Sequence, residues 1–341
     1  MARASRRHWL ARHAALGAAA WASKAAAAGG ALACLVGHVR AQAPPAGPVP
    51  TPPPATARGP GVPAVPVLTR LVPSTGEALP LVGLGTWITF NVGNDARLRA
   101  ACTEVVQAFF AHGGRLIDSS PMYGSSQPVV GEALTTLGRP AALFSAEKVW
   151  IGEGARGAAQ IEASRRFWGV PRFDLMQVHN LLAWEEHLPR LLAMKAEGRL
   201  RYVGITTSEG RRHAEIVRVM SAHPIDFVQV TYNPLDREVE QRILPLAAER
   251  RIAVIANRPF REGALLRALR RQRLPGWAAE LGCDGWAQAV LKFIVSHPAV
   301  TCAIPATSQV THVVQNMGAA RGPMPDAALR ARMAADVAAL A

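Results

Sequence analysis

Residues 115–150 read RLIDSSPMYGSSQPVVGEALTTLGRPAALFSAEKVW. A short apolar run ends on an acid, Asp118, and the loop beyond it presents Tyr123 before a glycine. QPVVGEALTTLG then spaces its apolar residues as a helix and stops at Gly138, and LFSAEK starts a second buried run that ends on Lys148. Strand, helix and strand in so short a span form a βαβ unit, whose strands run parallel.

The same alternation extends in both directions. Short apolar or β-branched runs fall at 81–86, 115–118, 143–148, 173–178, 201–206, 226–230, 252–256 and 300–304, separated by helix-like segments such as LRAACTEVVQAFFAHGG and EVEQRILPLAAER. Eight such units suit a closed α/β (β/α)8 TIM barrel, which typically takes about 250 residues. An open doubly wound sheet would place GxGxxG after its first strand, whereas VGLGTW at 82–87 carries two glycines.

Outside the alternation the chain changes character. Residues 1–41 contain the pair Arg6-Arg7, then apolar Trp9-Leu10, an Ala-rich run and small residues near Val39-Arg40-Ala41. This is the pattern of a twin-arginine signal peptide, which predicts a periplasmic protein that meets the export machinery and touches the membrane only through an uncleaved leader. Residues 42–66, QAPPAGPVPTPPPATARGPGVPAVP, are too rich in Pro, Ala and Gly to form a core and read as an extended, disordered tether. The barrel is therefore expected over residues 67–341.

Composition narrows the function. The chain has 341 residues and a formal charge of +14. Six of the cations lie in residues 1–43, which carry no acid, and the others are interspersed with acids along helix-like segments. That is a solvated basic surface, not a nucleic-acid footprint. Four cysteines with no CxxC and no Cys/His ligand spacing indicate neither a disulfide scaffold nor a metal site. Only four of the 38 basic residues are lysines, and there are only three tyrosines. A lysine kept in so arginine-rich a chain suits a task that needs a compact, tunable ammonium.

Active residues of such barrels sit at the C-terminal ends of the strands. Those ends supply Asp118, Lys148 and His179, spaced one βα unit apart, with Tyr123 on the loop above Asp118. Neighbouring strands bring the four together. A phenol is a poor acid at neutral pH, and an ammonium beside it favours the phenolate and lowers its pKa. Asp118 would hold Lys148, and His179 would orient a substrate carbonyl by a hydrogen bond. Such a set delivers a proton to an oxygen on which negative charge develops.

The motifs GLGTW, IDSSPMYGSSQPVVGEAL, SAEKVW, FDLMQVHN, RYVGIT, FVQVTYNPLDR and IPATSQVTHVVQN together resemble the aldo-keto reductase family over residues 68–320. The resemblance implies a nicotinamide-dependent reduction of an aldehyde or ketone, with Asp118, Tyr123, Lys148 and His179 as the catalytic tetrad and Tyr123 as proton donor. It implies NADP, or else NAD, as cofactor. Thr206-Thr207 stand where the family commonly has Ser-Asn against the nicotinamide carboxamide, and Gln229 matches a third carboxamide contact. Asn257 occupies the place of the usual stacking tyrosine, with Arg258 beside it as a candidate pyrophosphate ligand. Thr307 and Ser308 lead into a helix N-terminus suited to phosphate, and Asn316 matches the adenine contact. The stretch Ser308-Gln309-Val310 lacks the cation that family members use for the 2′-phosphate. Trp87, Phe90, Trp150 and Trp184 fall just beyond strand ends, as a pocket wall or as core; Trp87 and Trp150 are the substrate-lining candidates. The altered nicotinamide contacts keep a second reading open, a non-catalytic cofactor-binding or sensory barrel.

Overall fold

The computed structural model describes residues 65–341, so the expected leader and nearly all of the expected tether lie outside the described residues. The described chain begins with an antiparallel hairpin, β1 (Thr69–Leu71) and β2 (Ala78–Pro80). Eight parallel strands follow: β3 (Leu84–Gly85), β4 (Leu116–Asp118), β5 (Phe144–Val149), β6 (Phe173–Val178), β7 (Leu200–Thr206), β8 (Phe227–Thr231), β9 (Ala253–Asn257) and β10 (Val300–Ala303). Each overlaps one of the expected strands. Their order in the sheet is their order in the chain. The two ends meet, because the Gly83 N–H donates to the Ala303 carbonyl at 2.8 Å and the Ala303 N–H donates to the Leu81 carbonyl at 2.9 Å. The sheet is a closed (β/α)8 barrel.

Helices α1 (Ala96–Ala111), α2 (Ser126–Thr136), α3 (Gly157–Trp168), α4 (Trp184–Ala196), α5 (His213–Ala222) and α6 (Ile243–Glu249) connect β3 through β9 around the outside. The span from β9 to β10 is broken into α7 (Ala264–Leu269), α8 (Trp277–Glu280) and α9 (Trp286–Val295). Then come α10 (Val310–Gly318) and α11 (Ala327–Leu340), the latter capped by Asp326 accepting from the Leu329 N–H at 2.8 Å. This last helix is rich in alanine.

The two glycines of GLGTW find their reason at the seam. A Cβ on Gly83 would lie 2.8 Å from the Leu116 carbonyl oxygen, and one on Gly85 would lie 2.7 Å from that of Ile304. A side chain at Gly85 would push the segment after the last strand away, and one at Gly83 would press on β4 and on the Cys302 and Ile304 side chains.

Period-2 alternation places every second residue inside the barrel. Leu116, Phe144, Leu175, Tyr202, Phe227 and Ile255 form an inner apolar cluster, closed from below by Val72 and Leu79 of the hairpin. The alternate residues, such as Ile117, Met176, Val203 and Val228, face the helices in the larger outer cluster. The hairpin itself was not foreseen in the sequence. It is fastened by the Tyr202 hydroxyl, 2.7 Å from Thr75 Oγ1 and donating to Glu77 at 2.8 Å, and by Arg201 bridging Glu77 and Asp174.

The same parity continues upward and changes chemistry. In the same parity above the apolar layer come Asp118 on β4, Lys148 on β5 (two beyond the inner Ala146), Gln177 on β6, Gln229 on β8 and Asn257 on β9, all buried. One step beyond come His179, Thr206 and Thr231. The barrel is apolar at its lower end and polar at the rim, and the rim is where the site forms.

Candidate active site

Lys148 and Asp118 form an ion pair at 2.6 Å, with their side chains 0% and 2% exposed. Lys148 Nζ also donates to the Ser119 carbonyl at 2.7 Å. The remaining oxygen of Asp118 accepts from Gln229 Nε2 at 2.9 Å and, more weakly, from Gln177 Nε2 at 3.5 Å. Thr86 Oγ1, at the end of β3, steadies the backbone of this turn by donating to the Asp118 carbonyl at 2.9 Å.

Tyr123 ends a short 3-10 turn, Pro121–Tyr123, capped by Ser120. Its ring centroid lies 5.1 Å from Lys148 Nζ and 5.7 Å from that of His179, to which it is edge-on at 86°. His179 is buried at the end of β6, and its Nδ1 lies 2.7 Å from Ser120 Oγ. The structure thus brings the four expected catalytic residues together on one rim.

Electrostatics divides their roles. Burial alone would depress the Lys148 ammonium, but Asp118, Tyr123 and Glu147 more than compensate and its pKa stays above the ordinary lysine value. Burial pushes the Tyr123 phenol up to about 12, and Lys148 opposes this without overcoming it. The expectation that the ammonium lowers the phenol is therefore correct for the pair and wrong for the sum. The ring keeps part of its surface on the pocket, where water moderates the burial. The protonated phenol prevails at neutral pH. His179 is driven well below the ordinary histidine value, by burial first and by Lys148 second, so it is neutral.

The expected cofactor residues lie on the adjoining strand ends. Thr206 and Thr207 are buried at the top of β7, and Thr207 Oγ1 has no hydrogen-bond partner among the described residues. Gln177 Oε1 is likewise without a partner. Two buried unsatisfied atoms at one rim suit a ligand that carries its own donors and acceptors, as a carboxamide does. Gln229 joins Asp118 to Asn257, whose Nδ2 donates to the Thr207 carbonyl at 2.9 Å and whose Oδ1 accepts from Thr231 at 2.8 Å. Asn257 is thus turned into the network instead of offering a flat face. Arg258 has φ of 50° and is paired with both Glu209 and Glu262. It ties the loop after β7 to the loop after β9 and does not stand as a free cation. Thr307 accepts from the Gln309 N–H at 3.1 Å just before α10, with Ser308 exposed beside it and Asn316 buried along the helix.

Trp87 is half-buried and Trp150 is 39% exposed, its ring 6.5 Å from that of His179. Trp150 thus borders the tetrad, while Trp87 follows Thr86, whose hydroxyl donates to the Asp118 carbonyl. Phe90 and Trp184 belong elsewhere: Phe90 is fully buried in the outer core, and Trp184 packs on His223 while donating to Glu215 at 2.7 Å. The glycine-containing loop from Trp150 to α3 is tied down. Gln160 receives the Trp150 N–H at 2.7 Å and returns a hydrogen bond to its carbonyl at 2.9 Å, and His187 Nε2 lies 2.8 Å from the Ile151 carbonyl.

Sequence reasoning passed over Gln177, Glu147 and Ser120. Gln177 was visible as a polar residue sharing the inward parity of Leu175 and His179 in FDLMQVH. Glu147 faces outward on β5, buried against Gln127 at 2.9 Å and Trp168 at 2.8 Å. Burial holds its carboxyl at about 7, although Lys148 and these donors favour the charged form.

Comparison with known proteins places these residues in context. The profile of the Aldo/keto reductase family matches residues 81–332. Methylglyoxal reductase YeaE of Escherichia coli is 29% identical over 253 residues, 72% of this chain and 88% of that protein. The NADH-specific methylglyoxal reductase of Escherichia coli is 26% identical over 238 residues, 60% of this chain and 71% of the other. Among solved structures, an aldo/keto reductase from Klebsiella pneumoniae in complex with NADP and acetate superposes with a TM-score of 0.64 at 25% identity, over 76% of this chain and 91% of that one.

Proposed function

This chain belongs to the aldo/keto reductase family and is an NAD(P)-dependent oxidoreductase that reduces carbonyl compounds; from that premise we propose that it acts on small aldehydes and ketones, with Tyr123 as the proton donor. The observation that carries this reading is the Lys148 ammonium. It is fixed by Asp118 at 2.6 Å and placed 5.1 Å from the Tyr123 ring centroid, buried at the polar rim above the apolar barrel interior.

When bound, the nicotinamide supplies hydride to the carbonyl carbon. The chain's own residues do the rest. His179, neutral, donates to the carbonyl oxygen and turns it toward Tyr123. Tyr123 gives its proton to that oxygen as negative charge grows there, and Lys148 stabilises the phenolate left behind. Asp118 keeps Lys148 charged and in place. Thr206, Thr207 and Gln229 would hold the carboxamide, and Thr307, Ser308 and Asn316 the adenosine end. Trp87 and Trp150 give the carbonyl compound an apolar wall. The names of the two methylglyoxal reductases make methylglyoxal the first compound to assay. Nicotinamide absorbance followed with NADH and with NADPH over a panel of aldehydes and ketones tests this. Tight cofactor binding without turnover of any carbonyl would favour the sensory alternative.

The leader supports a second proposal, that the chain is exported folded to the periplasm by the twin-arginine route, with residues 42–66 as a tether. The support is Arg6-Arg7 followed by an Ala-rich run with no acid. Changing both arginines to lysine should retain the protein in the cytoplasm, and undiminished export would remove the proposal.

A further inference from the structure

Behind His179 lies a contact that the four-residue set does not account for. Ser120 follows Asp118 by two residues and is fully buried. Its Oγ lies 2.7 Å from His179 Nδ1 and accepts the Met122 N–H at 3.1 Å. Both contacts draw on one hydroxyl, which has a single proton and two lone pairs. With one lone pair given to Met122, the hydroxyl either donates to Nδ1 or accepts from an Nδ1–H and sends its own proton elsewhere. Among the described residues no other acceptor lies within hydrogen-bonding reach of Ser120 Oγ. The second arrangement therefore strands a buried O–H, which disfavours it by roughly tenfold to a hundredfold. An imidazolium would meet the same conflict.

We propose that Ser120 is a positioning residue that holds His179 as the neutral tautomer protonated on Nε2, so that the nitrogen facing the pocket is a hydrogen-bond donor. This rests on the reading of His179 as the group that orients the substrate oxygen. No side chain or backbone group among the described residues hydrogen-bonds Nε2, which leaves its proton to a carbonyl oxygen. The opposite tautomer would turn a lone pair toward that oxygen and repel it. The same Ser120 oxygen caps the turn Pro121–Tyr123. One atom thus sets the proton on His179 and the placement of Tyr123, so that the donor that orients the substrate and the acid that protonates it are registered to each other.

The test uses the full chain labelled with 15N-histidine, with His179 assigned by a His179→Gln variant, and long-range proton–nitrogen correlation spectra at neutral pH. The wild type should show a pyrrole-like Nε2 and an unprotonated Nδ1 for His179. Ser120→Ala, which removes a single oxygen, should give a mixture of tautomers and lower kcat for methylglyoxal roughly tenfold to a hundredfold, with cofactor affinity unchanged. Ser120→Thr, which keeps the hydroxyl and the cap, should bring back both the nitrogen pattern and most of the lost turnover. A lost cap alone would slow turnover without moving the nitrogen signals. A protonated Nδ1 in the wild type, or an unaltered nitrogen pattern in Ser120→Ala, overturns the proposal. The spectra need neither substrate nor turnover, so a wild type that reduces no carbonyl would overturn the functional reading, while the nitrogen pattern still decides the role of Ser120.

Discussion

Asp118→Asn is expected to cost more stability alone than when it is combined with Lys148→Met. The two side chains are 2.6 Å apart and 0% and 2% exposed. At an effective dielectric of about 20 their attraction is roughly 6 kcal/mol, most of which offsets the desolvation of two ions. Removing either partner leaves the other charge buried without its counterion and should cost about 3–5 kcal/mol. After Asp118→Asn the ammonium keeps the Ser119 carbonyl, Tyr123 and the field of Glu147, but no direct counterion. After Lys148→Met the carboxylate keeps only the Gln229 and Gln177 amides. The double variant has no ion to strand, and its asparagine still accepts from Gln229, so it should lie within about 2 kcal/mol of the wild type. Urea unfolding followed by tryptophan fluorescence measures all four corners of the cycle. The coupling should be at least about 3 kcal/mol, well beyond the roughly 0.5 kcal/mol scatter of independent sites. If the loss in the double variant equals the sum of the single losses, the pair does not hold the rim in the way described. Turnover should be lost in all three variants, which separates restored stability from restored chemistry.

Other expectations follow from the same geometry. Tyr123→Phe should lower kcat by roughly a hundredfold to ten-thousandfold and leave nucleotide affinity by fluorescence titration within about twofold; full activity would remove Tyr123 as the acid. Glu147 is held at about 7 against an ordinary 4.5, so the native chain keeps this proton longer than the unfolded one. It costs nothing below the ordinary value and progressively lowers stability as pH rises through that window, by about 3 kcal/mol in all. Glu147→Gln should abolish that part of the slope in urea midpoints taken across the window, whatever it does to stability itself; an unchanged slope refutes the assignment. Trp150→Ala should raise KM for an apolar aldehyde by about tenfold, with kcat little changed, because it removes wall area that binds ground and transition states alike.

The barrel was legible because strand parity and helix period are written in the residue pattern, and because Asp118, Lys148 and His179 each fall where a strand stops being apolar. The hairpin was not legible. Its strands are three residues long, below any periodicity, and its energy comes from contacts of Val72 and Leu79 with distant strands. The altered pocket side was legible as a departure and not as an arrangement. Thr207, Gln229 and Asn257 announce polar chemistry, but only packing shows Gln229 giving one amide proton to Asp118 and Asn257 turned inward. Arg258 reads as a free cation until Glu209, distant in sequence, joins the nearby Glu262 in pairing with it. The acidity of Tyr123 failed for a related reason, since the neighbouring ammonium can be inferred from spacing and the extent of desolvation cannot.

The glycine seam has a consequence for how the chain is made. Leu116 and Phe144 share one inner cluster with Cys302 and Ile304, residues at opposite ends of the barrel's order of synthesis. The loop that this contact closes is nearly the whole fold, and such non-local closure is entropically expensive and slow. Until Val300–Ala303 leaves the ribosome, β3 has a bare edge and the inner core has an open side. Lys148 and Asp118 are by then already translated, and the last strand is expected to complete the closed barrel that buries them. The residues of the acid come from the first half of the chain, and the barrel that encloses them is closed by the second.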